Sequence, residues 1–250
     1  MPAAAADHVL AAEVATAAGE LLLGVRRDLA GAPGFHVGDE GDRLAHDLIV
    51  RLLAEAAPGD AVLSEEGRDD LRRLERSRVW IVDPLDGTRE FSEPGRSDWA
   101  VHVALAIDGV VQAGAVALPA VGLTLASVPV PVVPERTPGP VRVVVSRTRP
   151  PLEARLIADA LDGELVALGS AGAKAMAVVL GDVDIYAHAG GQYEWDNAAP
   201  AAVALAAGLH ATRLDGSPLR YNRADPWLPD LLICRPELAE AALGALGAAR

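Results

Sequence analysis

The chain is 250 residues long and carries 22 basic against 35 acidic side chains, a formal charge of −13. Hydrophobic residues make up 51% and charged residues 23%, a globular ratio that excludes intrinsic disorder, and the acidic balance argues against a role in coating a nucleic acid polymer or binding an anionic membrane. Cys234 is the only cysteine, so no disulfide forms within the chain.

Residues 1–20 lack a basic leader segment and include Asp7, Glu13 and Glu20. The longest apolar stretches are interrupted before about 18 residues, so neither a signal peptide nor a membrane span is expected, and the location expected is cytoplasmic. Residues 7–29 read as an amphipathic helix. A second helix runs from Asp42 to about Ala56, with Leu44, Leu48, Ile49, Leu52 and Leu53 on one face, Asp39 or Asp42 at its N-terminus, and Pro58-Gly59 ending it. Short strands follow at Ala61–Leu63 and Val79–Val82, the latter stopping at Asp83-Pro84. Trp99–Ile107 and Val110–Leu118 meet at Asp108-Gly109, a strong hairpin signal, and Leu123–Val128 extends that antiparallel set.

The proline-rich segment 129–140 reads as irregular and as the junction between two subdomains, 1–135 and 136–250. Beyond it strands (Val141–Val145, Leu165–Leu168, Ile185–His188, Leu231–Cys234) alternate with helices (Leu152–Leu161, Ala171–Leu180, Ala198–Ala207, Glu237–Ala248). The fold class expected is α/β: an α+β N-terminal half followed by a layered α/β C-terminal half. The excess of alanine, and of arginine over the single lysine, Lys174, reads as codon pressure.

The chemistry lies in where the carboxylates fall. Glu65 and Asp83 each lie just past a strand, and Asp86 follows three residues later, so the three are expected at one sheet edge, where α/β proteins bind ligands. Clustered acids repel unless a cation sits among them, and hard oxygens suit Mg²⁺ or Mn²⁺ better than zinc. No HExxH pair is present. Asp83-Pro84-Leu85-Asp86-Gly87-Thr88 taken alone is equally turn chemistry. However, it leaves a fully apolar strand, and Gly87-Thr88 could open a short helix whose N-terminus receives phosphate.

WIVDPLDGT (80–88), with SEE (64–66) upstream and WDNAA (195–199) downstream, resembles the inositol monophosphatase superfamily along essentially the whole chain. The resemblance implies the αβαβα layered sugar-phosphatase fold and a magnesium-dependent, lithium-sensitive phosphate monoester hydrolase that uses metal-activated water and no covalent phosphoenzyme. It implies that Glu65, Asp83, Asp86, Asp196 and the Leu85 carbonyl are metal ligands for two Mg²⁺ ions. A third ion near Glu65, and Mn²⁺ as a substitute, are compatible with it. Thr88 and Asp42 would position and deprotonate the water, and the Gly87 and Thr88 amides would hold phosphate. From the residues alone, Asp42 reads as an acid in a first helical turn and Asp196 as a neighbour of a helix N-cap. Family members are commonly homodimers.

Arg89 after the GT pair, Ser146-Arg147 after a strand, Ser170 with Lys174 at a strand-to-helix turn, and Gln192–Asp196 look like the CysQ-type branch, the 3'-phosphoadenosine 5'-phosphate phosphatases. A bisphosphorylated nucleotide needs cations beyond the metals, which Arg89, Arg147 and Lys174 could supply; each reads alternatively as a surface or turn residue. Pro150-Pro151 after Arg149 departs from the longer SRSH-like pattern of that branch. The substrate expected is a small phosphorylated molecule. The alternative function is an inositol-1-monophosphatase or fructose-1,6-bisphosphatase of the same superfamily, and a rival of another class is a non-catalytic binder of phosphorylated ligands. A haloacid-dehalogenase-type DxDGT motif is rejected because Asp83 and Asp86 are three apart. His102, His188, Cys234, Trp99 and Trp227 read as structural.

Overall fold

The computed structural model describes residues 2–247. Two helices come first, α1 (Ala5–Asp28) and α2 (Gly34–Ala56), then β1 (Ala61–Ser64), β2 (Arg78–Asp86), the short α3 (Thr88–Ser92), β3 (Ala100–Ile107), β4 (Val110–Leu118) and β5 (Leu123–Ala126). These five strands form one sheet in chain order, with β1 parallel to β2 and the others antiparallel. The second half holds β6 (Arg142–Ser146), α4 (Leu152–Ala160), β7 (Glu164–Leu168), α5 (Ala171–Val179), β8 (Ile185–Tyr193), α6 (Glu194–Ala206), β9 (His210–Thr212), β10 (Trp227–Cys234) and α7 (Pro236–Gly247). Its sheet runs β7-β6-β8-β10-β9, parallel among β7, β6 and β8 and antiparallel through β10.

Alternation along the strands sets the layers. In β3, Val101, Val103, Leu105 and Ile107 pack with α1 and α2. Ala100, Ala104 and Ala106 face the other way, into a core shared with α5, α6 and the second sheet. Val143, Val145, Ile185 and Leu232 close the far side against α4 and α7. The stack is therefore helix, sheet, helix, sheet, helix, the five-layer αβαβα arrangement expected. Its middle layer explains the alanine, which does packing work beyond any codon bias. On α6, Ala198, Ala199, Ala201 and Ala204 are fully buried, and a Cβ at Gly114 of β4 would lie 2.7 Å from Ala202 Cβ. Only small side chains let a helix approach two sheets at once.

Several expected boundaries move. The second helix begins at Gly34 rather than Asp42, which places Asp42 in its third turn, away from the helix end it was expected to serve. The cause is Gly38 and Gly41, which weaken the helical signal but allow close packing: Cβ atoms there would lie 2.7 Å from Thr88 Cγ2 and 2.8 Å from Phe91 Cε1. β2 does not stop at Asp83-Pro84 but runs to Asp86 through a bulge between Asp83 and Asp86, where a proline is tolerated. α6 starts at Glu194, four residues before the expected Ala198. β9 was not expected, and Ala248 lies outside the described residues. α1 is long and apolar enough to cross a membrane by composition, contrary to the expectation, but it lies on the first sheet with Ala11, Val14, Ala15, Ala18 and Leu22 buried.

Candidate active site

The bulge in β2 aims both of its aspartates at one place. Carboxylate oxygens of Asp83, Asp86 and Asp196 lie within 4.8 Å of one another, although Asp196 comes from the other half of the chain, in the first turn of α6. There Asp196 Oδ2 accepts the Tyr193 backbone N–H at 2.6 Å, which fixes the carboxylate as it caps the helix. Asp83 accepts the Leu85 amide at 3.0 Å. Asp86 accepts the amides of Ala171 (3.1 Å) and Gly172 (2.5 Å), the first two residues of α5. That approach requires Gly172, where a Cβ would lie 2.2 Å from His102 Nε2.

Electrostatics follow from crowding. Burial, then the charges of Glu65, Asp86 and Asp196, push Asp83 well above the usual carboxylate range. Burial and Asp86 push Asp196 up to about 6, and burial and Asp196 push Glu65 up to about 7. Asp86 is the exception. Burial opposes its ionisation, but His102, Lys174 and the Gly172 amide outweigh that and hold it below its ordinary value. A set of hard oxygens that hold protons for want of a counter-charge fits a divalent cation, which would replace those protons. Glu65 stands at the open rim of the same cleft, outside the tight trio.

Thr88 opens α3 and donates its hydroxyl to the Leu85 carbonyl at 3.2 Å. Gly87 before it has φ +86°, and a Cβ there would meet Ser170 Cβ at 2.8 Å, so the turn accepts only glycine. Asp42 approaches across α2 beside the Thr88 side chain. Burial and the charges of Glu66 and Glu65 push it up to about 8, so without a counter-charge its carboxyl holds a proton at neutral pH.

The cleft has a volume of about 580 Å³ and runs from the acids past Arg89 and Lys174 to Ser146, Thr148 and Arg149. Arg89 is exposed at its edge. Lys174 is buried, with Nζ donating to the carbonyls of Gly169 and, at 2.7 Å, Ser170, and lying 5.4 Å from the Tyr186 ring centroid. Most of its donor capacity is thus spent on backbone. Ser170 caps α5, its Oγ accepting the Ala173 amide at 3.0 Å. Ser146 Oγ lies 3.3 Å from Thr148 Oγ1. Arg147 pairs with Glu90 at 2.6 Å and Glu93 at 2.7 Å, while its neighbours Ser146, Thr148 and Arg149 line the cleft. Trp227, read as a packing residue, also lines it.

Sequence reasoning assigned His102 to structure and gave Glu194 no role beyond its place in the Gln192–Asp196 segment. His102, fully buried on β3, lies opposite Asp83 in register and touches Asp86. Glu194 accepts the amides of Asn222 (2.6 Å) and Arg223 (2.8 Å), tying the start of α6 to a distant loop that Arg73 also holds. Neither leaves a local pattern, since the partners lie far along the chain.

The model of the inositol monophosphatase family matches residues 7–246. The chain belongs to the inositol monophosphatase family. It is accordingly a member of a family of metal-dependent phosphatases. A 3'-phosphoadenosine 5'-phosphate phosphatase from Mycobacterium leprae is 54% identical over 96% of this chain and 93% of that protein. The 3'(2'),5'-bisphosphate nucleotidase CysQ of Escherichia coli K12 is 33% identical over 75% of this chain and 80% of its own length. Among solved structures, CysQ from Bacteroides thetaiotaomicron superposes with a TM-score of 0.76 at 27% identity, covering 92% of this chain and 97% of that one. Inositol monophosphatase II from Staphylococcus aureus reaches a TM-score of 0.79 at 20% identity, covering 96% of each chain, and so shares the fold. This inositol monophosphatase family member is thus a phosphatase whose acids from both halves share one cleft.

Proposed function

We propose that the protein is a magnesium-dependent 3'-phosphoadenosine 5'-phosphate phosphatase of the cytoplasm that releases AMP and phosphate. The observation that carries the reading is the meeting of Asp196 with Asp83 and Asp86, in a chain 54% identical to a phosphatase of that name. Asp83, Asp86, Asp196, Glu65 and the Leu85 carbonyl would hold the metal. When bound, Mg²⁺ supplies Lewis-acid activation of water and charge stabilisation at the phosphoryl and leaving oxygens.

The chain's own groups do the rest. Asp42, once the cation offsets the neighbouring acids and leaves it ionised, takes the proton of the attacking water, relayed through the Thr88 hydroxyl beside it. The Gly87 and Thr88 amides, at the start of α3, hold a phosphoryl oxygen. Arg89 and Arg149 supply the charge needed by the second phosphate. Arg147 acts by bracing Glu90 and Glu93, and Lys174 by balancing the buried acids. The two subdomains, 1–135 and 136–250, meet at the proline-rich segment, and association into a homodimer belongs to the same reading.

The deciding assay compares kcat/KM for 3'-phosphoadenosine 5'-phosphate, inositol 1-phosphate and fructose 1,6-bisphosphate in Mg²⁺, with chelator and millimolar lithium as controls. The nucleotide should be preferred, with activity lost to chelator, restored by Mg²⁺ and inhibited by lithium. Preference for either base-free substrate would reassign the chain within its family, and ligand binding without phosphate release would make it a binding protein.

A further inference from the structure

Beyond the acids the cleft wall turns aromatic. Tyr193 closes β8, Trp227 opens β10, and the two are directly opposed in register, so both side chains stand on one face of the sheet. Both line the cleft, and both are exposed, Trp227 by 44% and Tyr193 by 46%. This sets Trp227 apart from Trp80 and Trp99, which are wholly buried.

The two rings are held rather than loose. Tyr193 stacks on Trp195 with centroids 4.8 Å apart and planes 10° from parallel. Trp227 rests against Gly191: a Cβ there would lie 2.5 Å from Nε1 and 3.1 Å from Cζ2. Gly190 and Gly191 both have positive φ, +100° and +93°, a pair of left-handed residues that only glycine adopts without strain. The backbone is thus pared down on one side of the indole while its cleft side stays open. The polar rim of Ser146, Thr148 and Arg149 lines the same cleft. A fixed, flat, apolar surface beside hydroxyl and guanidinium groups suits a ligand that is flat at one end and anionic elsewhere.

We propose that Trp227 is a specificity-determining residue: its indole, backed by Gly191 and flanked by Tyr193, stacks on the base of a nucleotide substrate and selects nucleoside bisphosphates over base-free polyol phosphates. The inference rests on the nucleotidase reading above and deepens it. Stacking tolerates any base, so Trp227 discriminates the presence of a base rather than its identity.

The test uses the full chain in Mg²⁺ and compares wild type with Trp227→Leu, which keeps apolar bulk, and Trp227→Tyr, which keeps a ring. Dissociation constants are measured for AMP and for ribose 5-phosphate, the same ligand without its base, alongside kcat/KM for 3'-phosphoadenosine 5'-phosphate. Trp227→Leu should weaken AMP by about tenfold, the scale of one base–aromatic contact, leave ribose 5-phosphate unchanged, and lower kcat/KM through KM. Trp227→Tyr should recover most of the loss. The inference is overturned if AMP binding is unchanged in Trp227→Leu, if both ligands weaken equally, or if the wild type binds AMP no more tightly than ribose 5-phosphate. Wild-type turnover of the bisphosphate decides the underlying reading separately.

Discussion

His102 Nε2 lies 3.2 Å from Asp86 Oδ2, and the other nitrogen of the same ring lies 3.0 Å from the Trp195 carbonyl. One fully buried imidazole on the first sheet thus touches a β2 carboxylate and the residue before Asp196. Burial opposes a charge on it, but Asp86 and the Trp195 carbonyl raise its pKa above the ordinary value. Replacing His102 with Leu removes a partner from each and should destabilise the protein by about 1–3 kcal/mol, the range for stranded buried polar groups. It should also raise the Mg²⁺ concentration needed for half-maximal activity. Denaturant titration and a magnesium activation curve check both, and an unchanged activation curve would mean that the contact serves stability alone.

Asp196→Asn separates charge from capping. The amide oxygen can still accept the Tyr193 N–H that Asp196 Oδ2 takes at 2.6 Å, so the helix start should survive. One negative charge leaves the acidic cluster. The expected result is a metal-free protein at least as stable as wild type and turnover reduced by more than about a hundredfold, as for loss of a group acting in the transition state.

Stability of the metal-free protein should fall as pH rises. Asp42, Glu65 and Asp196 have folded pKa values raised to about 8, 7 and 6. Between the unfolded carboxylate range and those values the folded state binds more protons than the unfolded one, so each unit of pH gained costs stability. Calorimetry from pH 5 to 8.5 in chelator should show a declining Tm, with saturating Mg²⁺ flattening the slope. A metal-free Tm that rises across this interval would contradict the crowding of these acids.

The two arginines that flank Thr148 should behave differently. Arg149 lines the cleft, whereas Arg147 is engaged by Glu90 and Glu93. Arg149→Ala should raise KM for the bisphosphate by about tenfold, the worth of one charge-assisted contact. Arg147→Ala should act mainly on stability and kcat. Steady-state kinetics on the two variants would show whether the assignments are reversed.

Gly87→Ala tests the turn that delivers Thr88. The residue must hold φ +86° with its α-carbon close to Ser170. A methyl group there should cost about 1–3 kcal/mol of stability and displace Thr88 enough to suppress turnover, measurable by thermal melting and assay at saturating Mg²⁺.

Much of this architecture was readable from local pattern. Asp108-Gly109 announces the β3–β4 hairpin, and the αβαβα layering follows from the WIVDPLDGT and WDNAA segments through the family they resemble. What escaped depended on distance or on packing. Asp42 was misplaced because Gly38 and Gly41 dilute the helical signal to let α2 sit against Thr88 and Phe91. The ion pairs of Arg147 were not legible because a guanidinium beside a strand end reads the same whether it meets phosphate or, as here, Glu90 and Glu93. His102 looked like one polar residue in an apolar strand because its partners, Asp86 and Trp195, lie 16 and 93 positions away.

Because α6 is clasped between the two sheets and carries Asp196 at its head, the three-carboxylate cluster cannot form in a half-assembled chain. A polypeptide ending after the first sheet would keep Asp83 and Asp86 but lack the third carboxylate, the α5 amides and the far wall of the cleft. Cation capture at this cluster would therefore report on completion of both halves. A divalent ion that binds only the finished form drags the folding equilibrium toward it as its concentration rises, so metal supply would govern how much intact enzyme persists as well as how fast each copy works.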